Sequence, residues 1–280
     1  MVIGLTIVGI GTSAPELMLA IVSGLEGVSS ISAGNVFGAN IANATYILGA
    51  CAIVYPLLVK FEEIRREAIF MLAALAATAV MAVDGTISRL EGALLILIFI
   101  ILLALTLRSL MCCRPSREVV EEFESARPKV KPIFVSTLYV VIGILTLVLG
   151  TELAVDSATE IAMILGVSEF IIGLTVITFG TTTPELASSL LASLRGNSDL
   201  ALGNIIGTIF TNTTLVLGSN SIIVPLAISE GQFVYGALAQ VLIGALLLGV
   251  AYRKRCLRRS IGIMFVLLYV AYLPLVLLSS

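Results

Sequence analysis

Long apolar runs, separated by short polar stretches, recur along the whole chain. A helix of about 20 apolar residues is long enough to cross the hydrocarbon core of a bilayer, which is about 30 Å thick. Each run therefore predicts one membrane-spanning helix, so that the pattern predicts an all-α polytopic membrane protein with about nine transmembrane helices. The nine predicted spans lie near residues 2–24, 33–59, 67–83, 90–111, 133–155, 168–194, 200–226, 231–252 and 260–278.

The composition favours a membrane protein over a soluble one and excludes several kinds of enzyme. The 280 residues are 59% hydrophobic and 12% charged, with a mean hydropathy of +1.12, whereas soluble domains average about 25% charged residues. The first apolar run has no basic leader, so a secretory signal peptide is not predicted. The chain contains no histidine, which excludes Ser/His/Asp hydrolysis, HExxH zinc chemistry and histidine proton relays. We therefore expect no enzymatic activity, no cofactor and no nucleic-acid partner.

The cysteines and the basic residues predict redox state and orientation. The four cysteines are Cys51, Cys112, Cys113 and Cys256. Apart from the adjacent pair, they do not have the spacing of metal ligands, and they are predicted to be reduced. Alternating the nine spans across the bilayer of the cell membrane places 15 of the 16 lysine and arginine residues on one side and Arg89 on the other. The positive-inside rule makes the crowded side cytoplasmic, with the C-terminus extracellular. The basic tract at 253–259 is interpreted as a topology signal, with lipid binding as the alternative.

The sequence contains an internal repeat. Shifting the chain by 169 residues aligns VIGLTIVGIGTSAPEL with IIGLTVITFGTTTPEL, and the alignment continues without a gap. About 20 of 56 aligned positions are identical, including Glu16 with Glu185. A polar segment, RPSREVVEEFESARPKVKP, divides the halves. The sequence therefore predicts a first membrane repeat at 1–113, a cytoplasmic linker at 114–132 and a second membrane repeat at 133–280.

The two repeats are predicted to have opposite orientations in the membrane. In the nine-span arrangement, Glu16 lies on a helix that runs outward from the cytoplasm, and Glu185 lies on a helix that runs inward. Inverted repeats are typical of secondary transporters, whose substrate site lies near the middle of the bilayer between the halves. The predicted fold is therefore two inverted-topology helical repeats that support alternating access.

Each repeat carries a polar motif inside an apolar run, GTSAPE at 11–16 and GTTTPE at 180–185. Proline lacks a backbone donor and displaces carbonyls about four residues upstream, so the carbonyls near Gly9 to Thr12 are predicted to be free. Hydroxyls three or four residues before Glu16 share its helix face. The motif thus predicts a cluster of carbonyl, hydroxyl and carboxylate oxygens, which are the ligands that hard cations such as Ca²⁺ and Na⁺ prefer.

Glu16 and Glu185 are the only acidic residues well inside a predicted span. A carboxylate within the bilayer is costly and usually functional, and two carboxylates converging from inverted helices would neutralise one Ca²⁺. Glu152, Asp156 and Glu160 lie towards the end of the fifth span and are interpreted as interfacial or solvated. The sequence therefore predicts a cation site shared by two glutamates, one from each repeat.

The second helix of each repeat carries GNVFGANIAN or GNIIGTIFTN. Asn43 and Asn212 occupy matching positions in these helices and are interpreted as ion ligands. The alternative is that they hold helices together by interhelical hydrogen bonds. The glycines of these segments have the small-xxx-small spacing of a helix-packing face: Gly34, Gly38, Gly203 and Gly207.

These four segments closely resemble the two alpha repeats of sodium/calcium exchangers in the cation/calcium antiporter superfamily. The resemblance covers essentially the whole chain, and the GNATE-type motif of the calcium/proton branch is absent from the sequence. The resemblance implies ten helices in two inverted five-helix repeats around four cation sites. It also implies an antiporter that uses inward Na⁺ flow to expel Ca²⁺, with both ions competing for Glu16 and Glu185.

The resemblance further implies individual ligands. Glu16 and Glu185 would bridge the sites and hold Ca²⁺. The other implied ligands are Thr12 and Thr181 for calcium, partly through their carbonyls, Ser13 and Thr182 for sodium, the carbonyls of Gly9 and Thr178 for the flanking sodium positions, and Thr208 and Asn43 as further polar groups.

Three positions depart from the family pattern. Ala39 stands where the family usually has a serine ligand, which removes a hydroxyl from one sodium site and keeps Ca²⁺/H⁺ exchange as an alternative. Asn212 stands where an aspartate is common, which argues against K⁺ co-transport. The family's first helix has no counterpart before Met1, so that a non-transporting truncated subunit is the remaining alternative.

Overall fold

The computed structural model describes residues 9–112 and 133–277, and these residues form a bundle of helices with two very short sheets. The α-helices of the first part span Gly9–Thr12, Ala14–Glu26, Ser29–Ala42, Leu48–Val54, Phe61–Met81 and Arg89–Cys112. Those of the second part span Ile133–Leu165, Glu169–Ile172, Thr178–Thr181, Thr183–Leu194, Ser198–Thr211, Leu217–Ile223, Glu230–Gln232, Ala239–Arg253 and Arg259–Leu277. Four short π-helical segments lie at Asn43–Ile47, Gly173–Ile177, Asn212–Val216 and Phe233–Leu238, and a 3₁₀ turn lies at Ala82–Asp84.

Six of the described helical segments are long and apolar enough to cross a membrane. They are Ser29–Val54, Ile64–Asp84, Arg89–Thr106, Ser198–Ile223, Glu230–Arg253 and Arg259–Leu277. The pair Glu169–Thr181 and Thr183–Leu194 makes a seventh if its two pieces, bent by 46°, form one span. The prediction of an all-helical multi-pass membrane protein is confirmed. The number of nine spans stays a prediction, and the linker at 114–132 lies outside the described residues.

Several predicted span boundaries differ from the structure by a few residues or more, and two of them have a clear local cause. The helix predicted to end near residue 155 continues to Leu165, because no glycine or proline follows before Gly166; Gly166, with φ +66°, ends it. We call this helix, Ile133–Leu165, the long helix. The span predicted to reach residue 59 ends at Val54, because Tyr55 precedes a proline and is extended.

The two halves of the chain interlock through four short strands. Strand β1, Leu57–Leu58, pairs with β4, Cys256–Leu257, and strand β2, Thr86–Ile87, pairs with β3, Leu226–Ala227. β1 and β3 occupy matching positions under the 169-residue shift, and β2 and β4 match to within one residue. Each strand therefore pairs with the other half, and this reciprocity is what a two-fold relation between the halves produces. The inverted orientation of the halves in a membrane stays a prediction.

Glycines bring helices of the two halves together backbone to backbone. A Cβ on Gly34 would lie 2.1 Å from the Phe170 carbonyl oxygen, and one on Gly173 would lie 2.1 Å from the Ile31 carbonyl oxygen. A Cβ on Gly38 would lie 2.4 Å from a neighbouring backbone oxygen. The interpretation of Gly34 and Gly38 as packing positions is confirmed. This close contact sets the helix Ser29–Ala42 directly against the segment that leads into the GTTTPE motif.

Candidate cation site

Each polar motif interrupts its helix at the third residue of the motif, Ser13 or Thr182. The helices that follow, Ala14–Glu26 and Thr183–Leu194, carry the proline in their first turn. Proline is tolerated there because a first-turn N–H has no partner within the helix. The motif glutamate is the third residue of each new helix, where the partial positive charge of the helix N-terminus favours a carboxylate. The sequence pattern thus produces the same local structure twice.

Glu16 and Glu185 are fully buried, each with 0% of its surface exposed. None of their four carboxylate oxygens has a hydrogen-bond partner among residues 9–112 and 133–277. The two carboxyl groups lie close enough to repel each other when both are charged. A buried charge without a partner is very costly. A cation shared by both carboxylates would remove that cost.

Each glutamate helix packs against the next helix of its own half and also against elements of the opposite half. The helix Ala14–Glu26 contacts the π-helical segment Asn212–Val216, and the helix Thr183–Leu194 contacts Asn43–Ile47. Each of these two π-helical segments begins with one of the predicted asparagine ligands, Asn212 or Asn43. Such segments are rare and frequently lie at functional sites. The fold therefore brings elements of both repeats around the two glutamates, and the shared cation site stays a prediction.

Asn43 and Asn212 are fully buried. The Asn43 Nδ2 donates to the Ala39 carbonyl of its own helix at 2.8 Å, and its Oδ1 has no partner in the described part of the chain. Neither polar atom of Asn212 has a partner there. The interhelical-bond alternative therefore finds no support among the described residues. Both Oδ1 atoms are available to a cation.

Two motif hydroxyls bond to carbonyls of their own helix. Ser13 Oγ donates to the Gly9 carbonyl at 2.9 Å, and Thr182 Oγ1 donates to the Thr178 carbonyl at 2.7 Å. A hydroxyl that donates its proton in this way keeps its lone pairs for another partner. Ser13 and Thr182 thus remain chemically able to serve as ligands.

The structure corrects one detail of the motif prediction. The Gly9 carbonyl, predicted to be freed by Pro15, accepts the backbone N–H of Ser13 at 3.2 Å. A proline removes a donor only from the carbonyl four residues before it, which here is Gly11. The Thr178 carbonyl is bonded in the same way as that of Gly9. Both carbonyls are therefore hydrogen-bonded, and their role as sodium ligands stays a prediction.

The motif threonines make contacts across the two halves. Thr12 Oγ1 and Thr208 Oγ1 lie 3.5 Å apart. Thr181 Oγ1 donates to Asn35 Oδ1 at 2.9 Å. Thr181 also lines a cavity of about 550 Å³ beside the long helix. Asn35 is a site neighbour outside the predicted ligand set, although the repeat preserves it as Asn204.

A third buried acidic residue, Glu67, lies outside this centre. It is 6% exposed, and its Oε1 accepts from Arg66 Nη2 at 2.8 Å. Its charge is thus neutralised by its neighbour. No group of three or more acidic or cysteine side chains placed to hold a metal occurs in the described part of the chain. Further ligands of a cation at Glu16 and Glu185 would therefore be neutral oxygens.

The chain is similar in sequence to known membrane transporters. The chain matches the family described as sodium/calcium exchanger protein over residues 1–108 and 135–278. The putative antiporter CaxA of Alkalimonas amylolytica is 37% identical over 225 residues, which cover 80% of this chain and 70% of CaxA. The sodium/calcium exchanger MaX1 of Methanosarcina acetivorans is 28% identical over 305 residues, covering 97% of this chain and 87% of MaX1.

The fold also matches a solved structure. The sodium-calcium exchanger NCX_Mj, in crystals soaked with 10 mM Na⁺ and 10 mM Sr²⁺, has a TM-score of 0.70 and 30% identity to this chain. The match covers 96% of this chain and 84% of that one. Sequence and structure therefore agree on the same group of membrane transporters.

Proposed function

The chain belongs to the sodium/calcium exchanger protein family, and we propose that it exchanges Na⁺ for Ca²⁺ across the cell membrane by alternating access. Membership makes it a multi-pass membrane cation/calcium exchanger rather than an enzyme. The observation that supports the specific proposal is the pair of buried glutamates, Glu16 and Glu185, whose carboxylate oxygens have no partner among the described residues.

Coupling follows from competition for the two carboxylates. One Ca²⁺ neutralises both charges, and Na⁺ ions neutralise them one at a time, so the two kinds of ion displace each other. With no cation bound, up to two negative charges would remain in the interior of the bundle, at a high cost in free energy. The transporter therefore changes orientation only when it is loaded, which is the condition that an antiporter must meet.

The proposed ligand set extends from the carboxylates to neutral oxygens around them. Calcium would be held by Glu16 and Glu185 with Thr12 and Thr181. The buried amides and hydroxyls complete the set: Asn43, Asn212, Thr208, Ser13 and Thr182, with the carbonyls of Gly9 and Thr178. Buried oxygens without partners support the glutamates and asparagines most directly.

Ca²⁺/H⁺ exchange is a second candidate because of one position. Ala39, which is fully buried, matches Thr208 of the other half and offers no hydroxyl. One sodium position therefore has one ligand fewer. In this second candidate the two glutamates take up protons in place of Na⁺.

Ion gradients distinguish the two candidates. We expect purified protein in liposomes to take up radioactive Ca²⁺ when an outward Na⁺ gradient is imposed, because outward Na⁺ flow drives inward Ca²⁺ flow. We expect no uptake from an outward proton gradient alone, and none when a sodium ionophore collapses the Na⁺ gradient. Uptake driven by protons alone would replace the proposal with Ca²⁺/H⁺ exchange. The absence of uptake under both gradients would contradict exchange by this chain.

A further inference from the structure

Asn35 lies beside the candidate site, and nothing in the proposed ligand set uses it. Its side chain is fully buried. Its Oδ1 accepts the Thr181 hydroxyl at 2.9 Å, whereas the Thr178 carbonyl is 3.5 Å from that hydroxyl, and the Glu16 carboxylate, which also lies near Thr181, receives no short hydrogen bond from it. Asn35 Oδ1 is thus the better acceptor for the proton of Thr181.

The neighbouring Thr178 does not compete for this acceptor. Its hydroxyl lies 3.4 Å from Asn35 Oδ1 but donates to the Gly173 carbonyl at 2.9 Å. The short hydrogen bond to Asn35 therefore belongs to Thr181.

The direction of this hydrogen bond matters for cation binding. A threonine hydroxyl has one proton and two lone pairs. When it binds a cation, a lone pair must face the ion and the proton must face away. When another group accepts the hydrogen bond from this hydroxyl, the proton already faces away from the ion before the ion binds. In a buried site, where the local dielectric constant is low, such a bond is stronger than in water.

The equivalent asparagine in the other half is turned to different partners. Asn204 Nδ2 donates to Ser188 Oγ at 2.9 Å and to Ser189 Oγ at 2.8 Å. Its Oδ1 has no partner among the described residues. Asn204 therefore does not hold the proton of Thr12.

The threonine of the first motif has only long contacts to acceptors in the described part of the chain, one of which is the Glu185 carboxylate. Thr12 Oγ1 lies 3.4 Å from the Gly9 carbonyl and 3.5 Å from Thr208 Oγ1. The sequence explains the difference between the halves. Ser188 and Ser189 are matched in the first repeat by leucine and alanine, which offer no hydroxyl to draw the amide of Asn35 away.

We propose that Asn35 is a positioning residue that orients the Thr181 hydroxyl toward a bound Ca²⁺, and that Asn204 has no such role. The inference rests on the proposed function, because it takes Thr181 as a calcium ligand. It follows that the two motif threonines, which the repeat makes equivalent in sequence, contribute unequally to calcium affinity.

A double-mutant cycle tests the inference. The Ca²⁺ KM and the maximal rate of Na⁺-driven uptake are measured for Asn35→Ala, Thr181→Val and the double variant. We expect each single substitution to raise KM about 10-fold, the order expected for one hydrogen bond to a charged site, with a nearly unchanged maximal rate. The double variant is expected to match the larger single effect, because Asn35 acts only through the Thr181 hydroxyl.

Matched variants complete the design. Asn204→Ala is expected to leave KM within about two-fold of the parent, since a change with no shared partner produces little coupling. Thr181→Ser keeps the hydroxyl and is expected to keep the dependence on Asn35. If Asn35→Ala is not recovered as folded protein, Asn35→Ser replaces it in the cycle.

The outcomes that would contradict the inference can be told apart. An unchanged KM in Thr181→Val would show that the Thr181 hydroxyl does not hold calcium, which overturns the inference but leaves the Thr181 carbonyl as a ligand. A raised KM in Thr181→Val, with an unchanged KM in Asn35→Ala, would overturn the role of Asn35 alone. Additive effects in the double variant, or equal effects of Asn35→Ala and Asn204→Ala, would show that Asn35 acts only by packing.

Discussion

Replacing Glu16 or Glu185 with glutamine is expected to abolish exchange without unfolding the protein. Glutamine has nearly the same shape as glutamate but no charge, so it cannot neutralise the positive charge of a divalent cation in a buried site. The attraction between a cation and a carboxylate at an effective dielectric constant typical of proteins amounts to several kcal/mol, and we expect Ca²⁺ uptake to fall about 100-fold or more. Uptake into Na⁺-loaded liposomes measures this loss.

Thermal unfolding separates a lost ligand from a lost fold. The two carboxylates are buried near each other without partners among the described residues, so removing one charge relieves repulsion and desolvation. In cation-free buffer we expect the glutamine variants to have a Tm equal to or above that of the parent. Added Ca²⁺ stabilises the parent by about 2.7 kcal/mol at a hundred times its Kd, and this gain is expected to be lost in both variants.

Glu160→Gln is the matched control for these two substitutions. Glu160 is exposed on the long helix, so its replacement should leave both uptake and the Ca²⁺-dependent Tm unchanged. Uptake at the parental rate in both Glu16→Gln and Glu185→Gln would contradict a carboxylate site. A fall in Tm in cation-free buffer would instead indicate that these residues act in folding.

Replacing Gly34 or Gly173 with alanine is expected to disrupt the junction between the halves. The added Cβ would lie 2.1 Å from a backbone carbonyl oxygen of the other half in each case. A backbone atom cannot rotate aside as a side chain does, so the helices must separate. Overpacking a core costs about 1–3 kcal/mol and occasionally more, and we expect about 3 kcal/mol or more here. The yield of monodisperse protein after detergent extraction, with its Tm, measures the loss.

Gly249→Ala provides the control for the glycine substitutions. A Cβ at Gly249 would meet nothing within 4 Å, and alanine is a better helix former than glycine. This variant should be recovered in parental yield with an equal or higher Tm. If Gly34→Ala and Gly173→Ala behave like Gly249→Ala, the close backbone contact does not determine the assembly of the halves.

Much of the local structure could be predicted from residue patterns. The apolar runs predict helices because their length and composition match a bilayer, and the two GTxxPE motifs predict breaks because proline is favoured in the first turn of a helix and usually kinks or breaks a helix interior. The Gly9 carbonyl shows the limit of such reasoning. The prediction covered the four carbonyls from Gly9 to Thr12, whereas the missing N–H of Pro15 leaves only the Gly11 carbonyl without its usual donor.

The role of Asn35 could not be predicted from the repeat, which makes it equivalent to Asn204. The difference arises because Ser188 and Ser189 draw the Asn204 amide toward themselves. Which way a carboxamide turns depends on all of its neighbours in space, and those neighbours come from helices far apart in the chain. An alignment of the two halves shows the residues that differ but not the contacts that the differences change.

The sequence alone determined that this is a helical membrane protein, that it is duplicated, and that each half contributes one carboxylate within a span. These properties follow from local composition and spacing, which set helix formation and burial. Only the tertiary structure decided that each glutamate helix packs against the π-helical segment of the opposite half, and that Thr181 bonds to Asn35. Those contacts join segments more than 130 positions apart. They depend on how closely glycine backbones approach and how side chains rotate, and neither is encoded in any single segment.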